Sequence, residues 1–408
     1  LKLLRDRALE LDERDVLAKY KDEYELHVDD TIYMDGNSLG QLSKSARSAV
    51  IDTLDLQWGR DKVAAWDRWL YLCETVGNAI GSGFLGAEEG EVIVSDSTSV
   101  NLYKLAVAAV SVQKNRGRIV TDDQNFPTDR YILTGIAEQM SLELTVVHSD
   151  RDGAVTEADL AEVLDEDVAL VSLSHVNYRS GGLSDMREIN RAVHGVGAFS
   201  LWDLSHSVGV VPIDLDEEGC DLAVGCTYKY LNGGPGSPAF LYIRDELIDK
   251  LSQPIWGWFS TADQFEMGDL YLPKDGVGRF QVGTPPILSV AALSGALEPL
   301  IEATISAIRE KSLSLTTFAQ ELIAEWLHDL GFMLASPSDP NGRGGHISLY
   351  HKDAKEINDH LVKRYGVITD YRVPDRIRFT PSPMYTSFTM VYDALERLRK
   401  LAMGMYKH

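Results

Sequence analysis

Phe199-Ser200-Leu201-Trp202-Asp203-Leu204-Ser205-His206, followed a short way on by Asp221-Leu222-Ala223-Val224-Gly225-Cys226-Thr227-Tyr228-Lys229-Tyr230-Leu231-Asn232-Gly233-Gly234, decides the reading of this chain. Each stretch opens as a short apolar run, fit for a strand covered on both faces, and closes on polar residues. In an open α/β sheet, ligands sit outside the carboxyl ends of the strands. Asp203 and Lys229 are therefore expected side by side at one sheet edge, with Asn232-Gly233-Gly234-Pro235-Gly236 letting backbone approach a ligand closely.

The same alternation extends outward from this pair. Glu91 to Ser95, Arg118 to Thr121, Leu144 to His148, Ala169 to Ser174, Ala198 to Trp202, Asp221 to Cys226 and Ala239 to Ile243 read as strands. Helices are expected between them: Ser99 to Lys114, one starting at Thr156 with Asp159 as its capping partner, and one starting at Ser184 before Met186, Ile189 and Val193. Strand, helix and strand in series make a mostly parallel sheet with helices on both faces. After Pro285-Pro286 the pattern changes to helices over Ile287 to Ala303 and Ala307 to Leu330. A mixed stretch follows: strand His346 to His351, helix Ala354 to Tyr365, strand Arg376 to Phe379 and helix Phe388 to Met403. The organisation expected is an arm over 1–40, a large α/β domain over 41–285 and a smaller α+β domain over 286–408. The amphipathic start, Leu1 to Tyr20, reads as part of an arm packed on the body or on a second subunit.

Composition bounds the partners. A chain of 408 residues, 44% hydrophobic, can bury two cores without staples. Its net charge of −23 repels a phosphate backbone, so nucleic acid is not expected as a partner. No apolar run reaches membrane-spanning length and no signal-peptide core opens the chain, so a cytoplasmic location and no membrane are expected. The 3 cysteines, Cys73, Cys220 and Cys226, have neither disulfide nor zinc spacing, so no metal is expected.

Chemistry concentrates at the strand ends. Ser97-Thr98-Ser99 opens a helix, where hydroxyls and free backbone N–H groups suit a phosphate. In Asn125-Phe126-Pro127-Thr128-Asp129, an aromatic ring held by a proline turn can lie against a planar ligand. Ser174-His175-Val176-Asn177-Tyr178 is a polar cluster leaving an apolar strand. Asp203 can keep a pyridine nitrogen protonated, Lys229 can form an imine, and His206 can hydrogen bond the same ligand. A carboxylate and an imine lysine are the two groups that a pyridoxal phosphate enzyme requires.

Taken together, Asp35-Gly36-Asn37-Ser38-Leu39-Gly40, Asn125-Phe126-Pro127-Thr128-Asp129, Trp202-Asp203-Leu204-Ser205-His206-Ser207, Tyr228-Lys229-Tyr230-Leu231-Asn232-Gly233-Gly234-Pro235-Gly236 and Gly283-Thr284-Pro285-Pro286-Ile287 resemble the kynureninase family. The resemblance runs from about residue 33 to the Arg378 region, and its Asp-x-x-His and lysine are shared more widely among fold-type I pyridoxal phosphate enzymes. It implies an aspartate-aminotransferase-like fold, pyridoxal 5′-phosphate as cofactor, a homodimer with shared sites, and hydrolysis of L-kynurenine to anthranilate and L-alanine in tryptophan catabolism. It further implies Lys229 as the imine lysine, Asp203 as partner of the ring nitrogen and Phe126 as the stacking ring. Thr98, Ser99 and Tyr228 then face the phosphate, while Pro127, Thr128, Asp129, Ser174 and His206 surround the ring. Tyr228 is also the implied base for water, and Trp256 and Thr284 would reach the phosphate from the partner subunit. Arg378 would clamp the substrate carboxylate, with Asn37 and Ser38 beside it. Gly283-Thr284 follows the bacterial pattern, favouring kynurenine, although the 3-hydroxy derivative is a further candidate. An aminotransferase or a cysteine desulfurase would use the same lysine and aspartate. The desulfurase needs a nucleophilic cysteine late in the chain, and none follows Cys226.

Overall fold

The structure, a computed structural model, describes residues 2–25 and 30–405. Leu1, where the amphipathic start begins, and residues 26–29 of the expected arm lie outside the described residues, as do residues 406–408.

A short strand β1 (Ile32–Tyr33) precedes a seven-stranded sheet built from β2 (Val92–Val94), β3 (Arg118–Asp122), β4 (Glu143–Val147), β5 (Val168–Ser174), β6 (Phe199–Asp203), β7 (Leu222–Gly225) and β8 (Phe240–Ile243), in the order β2-β8-β7-β6-β5-β3-β4. β4, β3, β5, β6 and β7 pair in parallel, and β8 alone runs against its neighbours β7 and β2. The central strands are buried along nearly their whole length, as uninterrupted Val, Leu and Ala runs require. Helices Thr98–Val112, Pro127–Met140, Leu72–Ile80 and Met186–Gly195 cover the sheet.

The remaining strands are β9 (Met333–Leu334), β10 (Ile347–Tyr350), β11 (Val367–Ile368), β12 (Asp370–Arg372) and β13 (Arg376–Phe379). β12-β13-β10-β9 form an antiparallel sheet, and β1 pairs in parallel with β11. Helices Ile305–Trp326, Ala354–Tyr365 and Phe388–Met405 bury Leu315, Phe318, Leu322, Ile357, Leu361, Leu395 and Leu398 against it in a second core.

Packing bears on two expectations about how the chain is divided. Helix Ile287–Ala303, read as the start of the small domain, places Val290, Leu293, Leu297 and Leu300 in the first core. Pro285-Pro286 therefore marks a helix start. The chain changes bodies at Thr304, whose φ of +66° breaks one helix from the next, and we propose the domain division there. At the other end, helix Lys2–Glu13 packs on the body: Ala8 joins the second core, and Asp12 accepts hydrogen bonds from the backbone N–H groups of Phe388 and Thr389. That carboxylate caps the closing helix.

Local signals fared differently. Thr156 and Asp159 make the expected capping box. Ser184 does not cap the helix that follows; Asp185 does, accepting from Glu188 N at 2.9 Å, because the carboxylate is the stronger acceptor one residue closer.

Candidate active site

Strand direction gathers the site. The ends of β2, β3, β5, β6 and β7 open on one edge, and the lead-in to the reversed β8 returns there too. A cavity of about 590 Å³ at that edge is lined by Ser97, Thr98 and Ser99 after β2, Phe126, Thr128 and Asp129 after β3, Ser174 to Tyr178 in part after β5, Asp203 and His206 after β6, and Tyr228 and Lys229 after β7. Pro127 opens the helix behind Phe126 without lining the cavity.

At one end, Asp96 turns the chain at a φ of +47° into helix Thr98–Val112, and the Ser97 hydroxyl caps it by accepting from Val100 N. Asp96 is tied down by Lys104, a fully buried lysine whose ammonium donates to Asp96 at 2.7 Å, to Ser95 Oγ and to the Phe280 carbonyl. Burial pushes the Lys104 ammonium down, and the Asp96 charge pulls it back up. Sequence reading missed both residues. The available signal was one lysine inside the otherwise apolar run from Leu102 to Val110.

In the middle, Asn125 holds the Phe126 turn. Its Oδ1 accepts from Phe126 N at 2.8 Å and from Ser174 Oγ at 2.7 Å, while its amide donates to Thr121 and to the Ser172 carbonyl. Phe126 meets Tyr178 edge-on, ring centres 5.2 Å apart. His175 points the other way, edge-on to Trp202, where burial pushes it down to about 3 and keeps it neutral.

At the far end, Asp203 accepts from Ser205 N at 2.9 Å and sits beside Asp129. Burial first, then the Asp203 charge and hydrogen bond, hold the Asp129 carboxyl well above the usual carboxylate range. Lys229 Nζ lies 3.0 Å from His206 Nε2 and 5.8 Å from the Tyr228 ring centre. Burial and the Lys229 charge push His206 well below its ordinary value, so it is neutral.

The third carboxyl of this group, Asp122 at the end of β3, is pushed up to about 6 by burial from an ordinary 3.8, against hydrogen bonds from Ser149 and Gln124. A raised native value means that its contribution to stability is complete below pH 3.8 and is lost as pH rises through about 6. Asp122→Asn removes that loss while keeping an acceptor for Ser149. The variant is expected to exceed the parent in stability by on the order of 2 kcal/mol at pH 8, the gap closing near pH 4, in urea melts at both values.

Arg378, Asn37 and Ser38 are brought together, but behind the cavity and not on its wall. The Arg378 guanidinium is fully buried, ion-paired with Asp370, and donates to the Tyr178 carbonyl at 2.7 Å and to Ser38 Oγ at 3.0 Å. With its amide oriented to suit its neighbours, Asn37 accepts from Arg378 Nη1 at 3.3 Å. Trp256 and Thr284 lie apart from this cavity on the surface; Trp256 is 63% exposed and stacks on Tyr271 at 4.7 Å.

The donor set fits a phosphorylated pyridine aldehyde. A helix N-terminus with hydroxyls suits its phosphate, a buried pair of carboxyls its ring nitrogen, and a lysine its aldehyde. Such a site on such a sheet defines a fold-type I pyridoxal phosphate enzyme.

A model of the aminotransferase class-V family matches residues 78–368. Kynureninase from Pseudomonas fluorescens is 39% identical over 403 residues, covering 97% of this chain and 95% of that protein; kynureninase from Burkholderia pseudomallei is 37% identical with the same coverage. Among solved structures, a cysteine desulfurase from Thermococcus onnurineus superposes with a TM-score of 0.82 at 18% identity, covering 95% of this chain and 98% of that one. A variant of C-DES with glycine covalently linked to its PLP cofactor gives 0.81 at 18% identity, over 91% and 97%. The chain belongs to the kynureninase family within the class-V aminotransferases, and its cofactor is pyridoxal 5′-phosphate. The desulfurase likeness is one of fold: Cys73, Cys220 and Cys226 are all buried.

Proposed function

We propose that this enzyme hydrolyses L-kynurenine to anthranilate and L-alanine, in the cytoplasm and as part of tryptophan catabolism. The observation that carries the reading is a single cavity joining Lys229, Asp203 and a helix N-terminus, in a chain 39% identical to a kynureninase.

When bound, the cofactor supplies an electron sink that draws charge from the substrate's Cα. Ser97, Thr98 and Ser99 hold its phosphate and Phe126 covers its ring. Asp203 keeps the ring nitrogen cationic, with Asp129 beside it. Lys229 would take the proton from Cα and return it two atoms away, to the carbon next to the cofactor ring, which leaves the γ-carbonyl open to water. Tyr228 handles that water. Its phenol is pushed up by neighbouring Cys226 and by burial, so it takes a proton from water only as it passes its own on. Arg378 receives the substrate carboxylate, with Asn37 and Ser38 aligning its fork. Because Asp370 already occupies that fork, binding exchanges one carboxylate for another.

Anthranilate fluorescence against keto-acid formation tests the reading. Release of anthranilate and alanine in equal amounts from L-kynurenine supports it, and transamination without anthranilate overturns it. The 3-hydroxy derivative is expected to turn over more slowly, as Gly283-Thr284 suggests.

Two chains share each site in this proposal, with the exposed Trp256 and Thr284 reaching the partner's phosphate. Mixing a Lys229→Ala protein with a Trp256→Ala protein, after unfolding and refolding together, is expected to recover about a quarter of the parental activity through hybrids that hold one intact site. Recovery no greater than the sum of the separate variants would leave each site to its own chain.

A further inference from the structure

His206 is neutral, and its Nε2 faces Lys229 Nζ at 3.0 Å. A neutral imidazole has one N–H and one lone pair. With Nε2 accepting from the lysine, the hydrogen is on Nδ1. That atom is buried and has no acceptor among the described residues.

Its surroundings repeat the pattern. The ring of His346 stands 5.5 Å from that of His206, and among the described residues its nitrogens find nothing of hydrogen-bond geometry beyond an approach to the Tyr178 backbone. Gly345, beside it in sequence, lies against Tyr230 Oη: a Cβ there would come within 2.9 Å of that oxygen. Tyr230 Oη is buried and also lacks a partner among the described residues. Val176, Val210, Val211 and Leu183 wall this spot with apolar groups. Buried polar atoms without partners among the described residues, as on His206, His346 and Tyr230, are those that proteins satisfy with ordered water.

We propose that a short file of ordered water runs from His206 Nδ1 past His346 to Tyr230 Oη and carries protons away from and back to Lys229. The inference rests on the proposed role of Lys229 as the base. A proton on Nζ passes to His206 Nε2 as the Nδ1 hydrogen passes to water, and Tyr230 accepts from and donates to the far end of the file. No electron is transferred, and the proton returns by the same route. His206, His346 and Tyr230 are positioning residues in this scheme, since they act through Lys229 and water.

Tyr230→Phe keeps the ring and removes the far anchor. In the cofactor-loaded enzyme, kcat is expected to fall about three- to tenfold, the scale of one lost hydrogen bond, with KM little changed. The solvent deuterium isotope effect on kcat should rise, because proton movement becomes slower, while the spectral change on mixing with substrate keeps its amplitude. A purely structural role for Tyr230 would lower the melting temperature and leave the isotope effect alone, and that result overturns the proposal. Independently of activity, a high-resolution crystal structure should show ordered water within hydrogen-bond reach of both His206 Nδ1 and Tyr230 Oη. Dry side-chain contacts at both atoms would refute the file even if the variant does not fold. Should the protein release no anthranilate at all, the substrate reading fails while the water density still decides the file.

Discussion

Lys229→Ala is expected to abolish turnover of L-kynurenine and, with it, the adduct that borohydride traps on the enzyme. The lysine supplies both the amine that holds the cofactor aldehyde and the base that moves the Cα proton, so no neighbour can take over. His206, the group closest to it, is kept neutral by burial and by Lys229 itself, and without the lysine it has neither the reach of an alkyl amine nor its nucleophilicity. The variant should still fold, because Nζ makes no hydrogen bond other than that to His206 among the described residues. Intact-mass measurement after reduction, beside an anthranilate assay, checks both halves. A variant working at near parental rate would sink the scheme.

Asp203→Asn carries the second large effect. The amide oxygen can still accept from Ser205 N, so the β6 end keeps its shape, but the carboxylate proposed to face the ring nitrogen is lost. Removing a preorganised charge from a buried site is expected to lower kcat by about 10²–10³-fold. The absorption band of the bound cofactor should shift as its ring nitrogen loses the proton. Cofactor loading should fall less than activity, since the helix start at Thr98 still holds the phosphate. Equal kcat for variant and parent, with the same spectrum, would show that Asp203 has another task.

How much of this was legible in the chain depends on the range of the interaction. Val168–Ser174, Phe199–Asp203 and Leu222–Gly225 could be read as buried strands because both faces of each are covered, which leaves an unbroken apolar run. Asp203 and Lys229 could be expected at one edge because parallel strands all end there. The domain change could not be read in the same way. Ile287–Ala303 is apolar nearly all round, so its composition is silent on which core receives it. The strands β1, β9, β11 and β12, each of two or three residues, are too short to carry a period.

The sequence by itself determined the mostly parallel sheet and the polar residues that close its strands, Asp203 and Lys229 among them, since these follow from local patterns of apolar and polar residues. Only the tertiary structure decided that Asp129 is buried beside Asp203, that Asp370 pairs with Arg378, and that Lys104 anchors the turn at Asp96. Those outcomes depend on burial and on partners brought together by folding. The energy of a charge is set by what surrounds it in space, and adjacency along the chain does not specify that.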